Sequence, residues 1–464
     1  MALSSRRQDR RHNHPLRLAA TQGGDAELPI DHLPDGGLGN DAAYEVISSE
    51  LLLDGQSRLN LATFVTTWMP APAARLMAAT ADKNMIDKDE YPQTAEIESR
   101  CVNILADLWN APEHTSATGC STTGSSEAAM LAGMALKWRW RARMEAAGKP
   151  TERPNLVMGA NVQVCWEKFC RYWEVEPRLV PMEGETYHLT ADRAVAHCDE
   201  NTIGVVAILG STFDGSYEPV KEIAEALDQL ESDKGIYIPM HVDGASGGFV
   251  APFLAPDLEW DFRVERVQSI NASGHKYGLV YPGVGWAVWR DKEALPDELV
   301  FNVNYLGGNM PTFALNFSRP GSEVIAQYFM FMSLGREGYT ALMQTLRHVA
   351  GYIARGVAAL GPYQLLSDGG ELPVFAFALN PDVKNYSVFD VSDRLRERGW
   401  LIPAYTFPEN RTDLSVLRIV VRSGMHKEMA DELLESLEEK TKMLESLKAP
   451  LPAEVASTTA AFAH

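Results

Sequence analysis

A lysine that follows small residues is the first candidate for chemistry in this sequence. Residues 273–276 read Ser-Gly-His-Lys and come after an apolar run at residues 267–270, and Gly274 lets a backbone approach a ligand closely. In a pocket of low polarity the pKa of a lysine falls, and its amine can then attack a carbonyl carbon and form an imine. A His-Lys pair in a loop can equally be solvated surface, so Lys276 needs partners before it indicates a site.

A second candidate is a carboxylate at the end of an apolar run. Asp243 directly follows the run at residues 236–242 and precedes the small residues 244–248. Ligands of open α/β sheets bind beyond the carboxyl ends of the strands. His241 would share a strand face with Asp243 because the two residues are two positions apart. An isolated aspartate at this place can also cap a helix or form a turn.

The third candidate is an anion site at the start of the first long helical pattern. Residues 124–127 read Gly-Ser-Ser-Glu, and the spacing predicts a helix over residues 125–147. Free N–H groups, two hydroxyls and the helix dipole together attract an anion. Taken alone, the motif also fits an ordinary serine N-cap.

The three candidates together match one cofactor. Pyridoxal phosphate needs a lysine for its aldehyde, a carboxylate for its pyridine nitrogen and an anion site for its phosphate. The carboxylate keeps the ring nitrogen protonated, so that the ring can accept the electrons of a broken bond at Cα. The sequence therefore predicts pyridoxal 5'-phosphate bound as an imine to Lys276, with Asp243 at the ring nitrogen.

The surrounding pattern predicts the elements that position these residues. Apolar runs without strict alternation indicate buried parallel strands at residues 155–158, 203–209, 236–242, 267–270 and 284–289. Helical patterns at 162–173 and 220–230 lie between them, which favours an α/β fold with a large parallel-sheet domain. Later the pattern indicates a smaller α+β domain, with helices at 341–360, 389–398 and 427–447 and runs at 374–379 and 416–421. We expect an N-terminal segment (1–59), a large domain (60–310), a small domain (311–450) and a flexible tail (451–464).

Composition and charge exclude several classes of protein. The 464 residues carry a formal net charge of -20, which disfavours binding to nucleic acid or to an anionic membrane. The five cysteines lack the CxxC spacing of a metal site, and we interpret them as reduced thiols of a cytoplasmic protein, with no metal expected. The arginines near the start are not followed by an apolar run, and no stretch is apolar enough for a membrane helix.

These motifs resemble those of the group II pyridoxal-phosphate decarboxylases. Further stretches agree with that family, at residues 60–64, 83–88, 316–320 and 417–422, and the likeness extends over about residues 42–447. Within the family it is strongest to the bacterial branch that acts on glutamate. Gln163, where many other members place a histidine, agrees with that branch. The resemblance implies the fold-type-I, aminotransferase-like architecture, with an active site at a dimer interface.

The resemblance also implies an activity. The expected enzyme is a lyase that decarboxylates L-glutamate to 4-aminobutyrate (GABA) and carbon dioxide. Two alternatives stay open. One is a decarboxylase or lyase of the same fold that acts on another amino acid; the other is a scaffold without activity, against which the presence of Lys276, Asp243 and Arg422 argues. The expected assembly is at least a homodimer, with a homohexamer as a further option.

The roles of family residues carry over where the residues match. The expected catalytic set is Lys276, Asp243 and His275. In the cofactor site, Gln163 and Ala245 would face the two sides of the ring, and Thr212 would lie near Asp243 or the ring oxygen. The phosphate would be held by Ser125, Ser126, His275 and Ser318 of the partner subunit, and Ser273 would also bind the cofactor. For the substrate, Arg422 would bind the α-carboxylate, and the pocket for the distal carboxylate would be lined by Thr63, Phe64, Asn84 and Asp87.

Two departures and the tail complete the comparison with the family. Gly244 stands where an alanine is usual, and Phe213-Asp214 replaces a more common aromatic-threonine pair, but neither change touches Lys276 or Asp243. Plant relatives end in a basic, tryptophan-containing helix that binds calmodulin. This tail has no tryptophan, so no calmodulin binding is expected. The terminal His464 is either a solvated residue or, as in some acid-inducible relatives, a group that helps to shut the site as the pH rises.

Overall fold

A computed structural model of the chain describes residues 31–33, 35–304 and 310–447. The chain divides into two compact units, residues 1–59 and residues 60–464. In the first unit, helix α1 (Asn40–Leu51) leaves each of its residues at least partly exposed. Residues 1–30 of the predicted N-terminal segment, and the predicted tail with His464, lie outside the described residues.

Within the described residues, a mixed seven-stranded sheet forms the centre of the second unit. Its strands lie in the order β1-β7-β6-β5-β4-β2-β3. Five neighbouring strands run parallel to one another: β6, β5, β4, β2 and β3. Strand β7 runs antiparallel to both of its neighbours, β6 and β1. The strands are β1 (Thr118–Thr122), β2 (Asn155–Gly159), β3 (Glu176–Val180), β4 (Thr202–Ile208), β5 (Met240–Asp243), β6 (Val267–Ala272) and β7 (Gly285–Trp289).

The sheet confirms the predicted α/β class and differs from the prediction in detail. Strands β2, β4, β5 and β6 are buried along their whole length, which explains their continuous apolar runs. Strand β5 begins only at Met240, because Pro239 before it has no N–H to donate. The antiparallel direction of β7 departs from the expected parallel sheet. The edge strands β1 and β3 do not follow from the apolar pattern, because several of their residues are polar.

Helices pack on the sheet or on one another and complete the core. They are α2 (Ala71–Ala79), α3 (Pro92–Leu108), α4 (Ser125–Ala146), α5 (Val164–Tyr172), α6 (Ala191–Ala196), α7 (Val220–Lys234) and α8 (Ala251–Leu254). Trp140 of α4 and Trp166 of α5 belong to the same buried cluster as strands β2 and β4. At Gly133, a Cβ atom would come within 2.7 Å of the Phe169 ring, so a glycine is needed for the close packing of α4 and α5.

The C-terminal part has its own small sheet. A long helix α9 (Ser322–Ala359) leads into it and is broken at Gly335, which has a φ of 57°. Four antiparallel strands follow in the order β10-β11-β13-β12. The elements are the hairpin β8 (Phe301–Val303) and β9 (Met310–Thr312), strands β10 (Tyr363–Leu365), β11 (Val374–Leu379), β12 (Ala404–Thr406) and β13 (Ser415–Val420), and helices α10 (Val388–Arg396) and α11 (Lys427–Glu445). The predicted domain boundary at residue 310 stays a prediction.

Two further observations bear on the expectations from composition. None of the helices in the described ranges combines the length and the apolar character that crossing a bilayer requires. All five cysteines are free thiols, and three of them, Cys101, Cys165 and Cys170, are buried. Burial raises the pKa of the Cys170 thiol to about 12, which makes it unreactive at neutral pH.

Candidate active site

Asp243 lies at the carboxyl end of β5, in the middle of the large sheet. One carboxylate oxygen, Oδ2, accepts a hydrogen bond from Trp166 Nε1 at 2.8 Å. The other, Oδ1, accepts from the backbone N–H of Ala245 and from Asn271 Nδ2, both at 3.1 Å. An ionised carboxylate can accept about four hydrogen bonds. Asp243 is therefore fixed by three donors and can still accept a further one, such as a protonated ring nitrogen.

Lys276 lies in the loop after β6, at the same end of the sheet. Its Nζ donates to Ser246 Oγ at 3.3 Å and lies 5.3 Å from the centroid of the Phe64 ring. Burial lowers the pKa of Lys276 below its ordinary value of 10.5; the charge of Asp243 opposes this effect and that of Arg418 adds to it. The amine is thus in surroundings that favour the neutral, nucleophilic form.

The backbone of this loop is held by the segment that carries Phe64. The hydroxyl of Thr66 donates to the Lys276 carbonyl at 2.6 Å, and the Thr66 N–H donates to the His275 carbonyl at 2.7 Å. Because both carbonyls are bound, the lysine side chain projects from a fixed backbone.

The start of α4 offers an anion site beside His275. Its N-cap, Gly124, has no side chain and therefore cannot cap the first N–H groups of the helix itself. Ser273 Oγ donates to Ser125 Oγ at 2.6 Å, and Ser126 is exposed next to it. A Cβ at Gly124 would lie 3.1 Å from the His275 ring, which shows how closely the ring approaches the helix start.

The state of His275 supports this interpretation. Burial, with a smaller effect of Lys276, lowers the pKa of His275 to about 4, so the ring is neutral at ordinary pH. Among the described residues, its buried Nδ1 has no hydrogen-bond partner. A buried polar atom without a partner costs free energy unless a ligand satisfies it. The phosphate of pyridoxal 5'-phosphate fits this place, as the ring nitrogen fits Asp243 and the aldehyde fits Lys276.

Three further predicted cofactor residues lie around Asp243 and the strand ends. Gln163 is the N-cap of α5, and its Oε1 accepts from the N–H of Cys165 at 2.7 Å. The same helix carries Trp166, the donor to Asp243, so Gln163 lies one turn from that contact. Ala245 donates its N–H to Asp243. The carbonyl of Thr212 binds the guanidinium of Arg418.

Two arginines of the C-terminal part hold the segment with Thr63 and Phe64. Arg418, in β13, is buried, donates to the Ala62 carbonyl, and places its guanidinium 4.8 Å from the centroid of the Phe64 ring. Arg422 donates to the Val65 carbonyl at 3.0 Å and also to the Asn60 carbonyl. Burial lowers the pKa of Arg422 to about 10, which still leaves it charged at neutral pH.

The remaining predicted residues form a separate group. Asn84 Nδ2 donates to Asp87 Oδ2 at 3.0 Å and approaches Ser318 Oγ at 3.4 Å. In the described part of the chain, no hydrogen bond joins this group to Lys276 or to Phe64. One chain brings together Thr63, Phe64, Arg422 and the predicted cofactor residues other than Ser318. Asn84, Asp87 and Ser318 form a hydrogen-bonded group of their own. Asn316 and Arg319, on either side of Ser318, bind Glu127 and Ser121 near the start of α4.

Sequence reasoning missed four residues of the site. Trp166 and Asn271 bind Asp243, Ser246 binds Lys276, and Arg418 packs on Phe64. Trp166 lies in a correctly predicted helix, and Asn271 follows a predicted strand by one residue. The sequence therefore predicted the helix and the strand, but not the hydrogen bonds that these two residues make to Asp243.

Comparison with known proteins agrees with this geometry. The pyridoxal-dependent decarboxylase conserved domain matches residues 38–380. A glutamate decarboxylase of Aliivibrio fischeri is 57% identical over 397 residues, which are 85% of each chain. One of Petunia hybrida is 48% identical over 92% of this chain and 86% of its own.

Solved structures agree as well. A glutamate decarboxylase of Lactobacillus brevis superposes with a TM-score of 0.88 at 46% identity, over 91% of this chain and 96% of that one. A sphingosine-1-phosphate lyase of Burkholderia pseudomallei, at 23% identity and a TM-score of 0.75 over 89% of this chain and 93% of its own, shares the fold. The chain belongs to the pyridoxal-dependent decarboxylases and, within them, to the glutamate decarboxylase family.

Proposed function

We propose that this enzyme removes the α-carboxyl group of L-glutamate and releases 4-aminobutyrate and carbon dioxide. The observation that carries the substrate is the 57% identity to a glutamate decarboxylase over 85% of both chains. The meeting of Lys276, Asp243 and the uncapped start of α4 supports the chemistry. Bound pyridoxal 5'-phosphate supplies an electron sink for the bonding pair that carbon dioxide leaves behind.

The chain's own residues would bind and orient the cofactor. Lys276 would hold it covalently, and Asp243 would keep a proton on the ring nitrogen. Gln163 and Ala245 would face the two sides of the ring, and Thr212 would lie near Asp243 or the ring oxygen. Ser125, Ser126 and His275 would hold the phosphate at the start of α4, with Ser273 beside them. The partnerless Nδ1 of His275 and the uncapped helix start support this last assignment.

The substrate would be held by both of its carboxylates. Arg422, a planar donor, binds the α-carboxylate, while Thr63 and Phe64 line the pocket beside Lys276. The distal carboxylate contacts Asn84 and Asp87. A carboxylate beside Asp87 is a like-charge contact, so one proton is taken up when the substrate binds.

The resemblance to the family, in which Ser318 would reach the phosphate site of a neighbouring subunit, supports an assembly. We infer that Asn84, Asp87 and Ser318 complete the site of a second copy, so that the enzyme is at least a homodimer. The hydrogen bonds that join Asn84 to Asp87 and to Arg319 hold these residues in place in each chain. The five free cysteines support a reducing, cytoplasmic location.

The decisive experiment measures the release of carbon dioxide by the purified enzyme with added pyridoxal 5'-phosphate. Glutamate, aspartate and aromatic amino acids are compared as substrates at equal concentration. We expect glutamate to give by far the highest kcat/KM. Faster release from another amino acid would assign the enzyme to a different substrate of the same fold. No release from any of them would instead support a scaffold without activity.

A further inference from the structure

Four polar side chains form a ladder on one face of the two central strands. Strands β5 and β6 are parallel neighbours in which His241 pairs with Ser269, and Asp243 with Asn271. Residues two apart on a strand point to the same face. His241 and Asn271 are fully buried, and Ser269 is 2% exposed. Buried polar groups in this position need a complete set of partners.

The hydrogen bonds of the ladder have a fixed direction. Ionised Asp243 can only accept, so Asn271 must turn its Nδ2 toward Asp243 Oδ1, at 3.1 Å. Asn271 Oδ1 then faces His241 Nε2 at 2.7 Å, and this nitrogen must carry a proton. His241 Nδ1 lies 2.8 Å from Ser269 Oγ, and in a neutral ring it accepts the hydroxyl proton.

The surroundings keep the imidazole neutral. Burial lowers the pKa of His241 to about 4, although the charge of Asp243 acts in the opposite direction. The ring of Trp166, from α5, packs 5.1 Å from that of His241. The titratable groups that interact with Asp243 from other elements are the amine of Lys276 and the thiol of Cys165, whose pKa is raised by burial.

We propose that Ser269, His241 and Asn271 form a positioning relay that fixes Asp243 as an anion and thereby keeps the shared proton on the ring nitrogen of the cofactor. All three donors of the relay point toward the carboxylate, and aligned hydrogen bonds polarise one another in a medium of low polarity. The inference rests on the proposed role of Asp243 at the ring nitrogen. It assigns to His241 a neutral ring with its proton on Nε2.

The first test needs no substitution in the measured protein. Holoenzyme labelled with ¹⁵N-histidine is followed by NMR from about pH 5 to about pH 8, the range in which an ordinary histidine titrates. The His241 signal is assigned from its absence in His241→Gln. We expect a neutral ring with the proton on Nε2 throughout. A cationic ring, or a proton on Nδ1 alone, would overturn the proposal.

The second test breaks the relay and uses a matched control. Asn155 is also a fully buried asparagine of the sheet, and it also joins a carboxylate, Asp199, to a hydroxyl, that of Thr202. Asn271→Ala and Asn155→Ala should therefore lower stability to a similar extent. Only Asn271→Ala should change the ¹⁵N signal of the ring nitrogen in enzyme loaded with labelled cofactor.

The expected change is about a tenfold shift of the shared proton from the ring nitrogen toward Asp243, as for the loss of one charge-assisted hydrogen bond. Equal signals in Asn271→Ala and the wild type, or equal changes in the two variants, contradict the relay. A ring nitrogen that is unprotonated in the wild type refutes the proposed role of Asp243 as well. Because no substrate is present, the result does not depend on whether glutamate is decarboxylated.

Discussion

Replacing Arg418 separates the effect of its charge from the effect of its shape. The buried guanidinium binds the carbonyls of Ala62 and Thr212 and lies against the Phe64 ring, so it joins β13 to both segments beside Lys276. Arg418→Lys keeps the charge but has no planar fork, and a lysine ammonium can reach only one of the two carbonyls. Arg418→Met removes the charge and keeps most of the volume.

The stability loss follows from the contacts. Arg418→Lys leaves one buried carbonyl without a charged donor, which costs about 1.5–3 kcal/mol. It also weakens a cation–π contact worth about 1 kcal/mol. We expect a decrease of about 2–4 kcal/mol in the free energy of unfolding, and about 3–5 kcal/mol for Arg418→Met, which leaves both carbonyls without this donor. Urea unfolding of the two variants measures these differences.

The charge has a second consequence. Arg418 contributes to the lowered pKa of Lys276, so Arg418→Met should raise that pKa, and Arg418→Lys should leave it nearly unchanged. The measurement is the pH dependence of acylation of the Lys276 amine by acetic anhydride in cofactor-free enzyme, followed by peptide mapping. Arg266 serves as a control, because it is also largely buried but binds Asp228 and Glu231 of helix α7.

The outcomes are distinct. Arg266→Met should lower stability without moving the pKa of Lys276. If Arg418→Lys and Arg418→Met move that pKa equally, the charge of Arg418 is not its cause. If both variants are as stable as the wild type, the guanidinium does not hold the two segments.

Further predictions concern the site and the tail. Lys276→Ala should abolish turnover, and borohydride reduction of the native enzyme should label Lys276; a label on another lysine contradicts the assignment. Asp243→Asn should largely keep cofactor binding but slow the chemical step severely, whereas a near-normal kcat would refute its role. If Asp87 meets the substrate carboxylate, kcat/KM for glutamate should fall from mildly acidic to mildly alkaline pH; a flat profile argues against this contact. If His464 shuts the site, deletion of residues 451–464 should extend activity to higher pH, and an unchanged pH profile would leave the tail without this role.

Much of the fold could be predicted because burial on both faces leaves a simple pattern. The runs at residues 155–158 and 203–209 became β2 and β4 within one residue at each end. The direction of β7 could not be predicted, since a buried strand has the same apolar composition whether it runs parallel or antiparallel. The first half of α9 could not be predicted either, because residues 322–334 are apolar on most sides and show no clear helical period of apolar residues.

The site was predictable where a residue type alone implies chemistry. A lysine, a carboxylate and a helix start with serines are identifiable without coordinates. The partners of these groups were not identifiable, because Trp166 and Asn271 are also common core and strand-end residues, and their role comes only from register and packing. The same holds for Arg418, whose neighbours Ala62 and Thr212 are far from it in the chain.

The residues proposed for the cofactor and those proposed for the substrate lie in different kinds of structural element. Asp243 and Asn271 lie on buried central strands of the sheet, and Trp166 lies on the helix α5 packed against it. Thr63, Phe64, Asn84 and Asp87 instead lie on segments outside the strands and helices. Core positions tolerate little change, while such connecting segments accept substitutions and insertions. Selectivity can therefore diverge during evolution, or be altered by directed mutagenesis, while the machinery that breaks the bond at Cα is inherited unchanged.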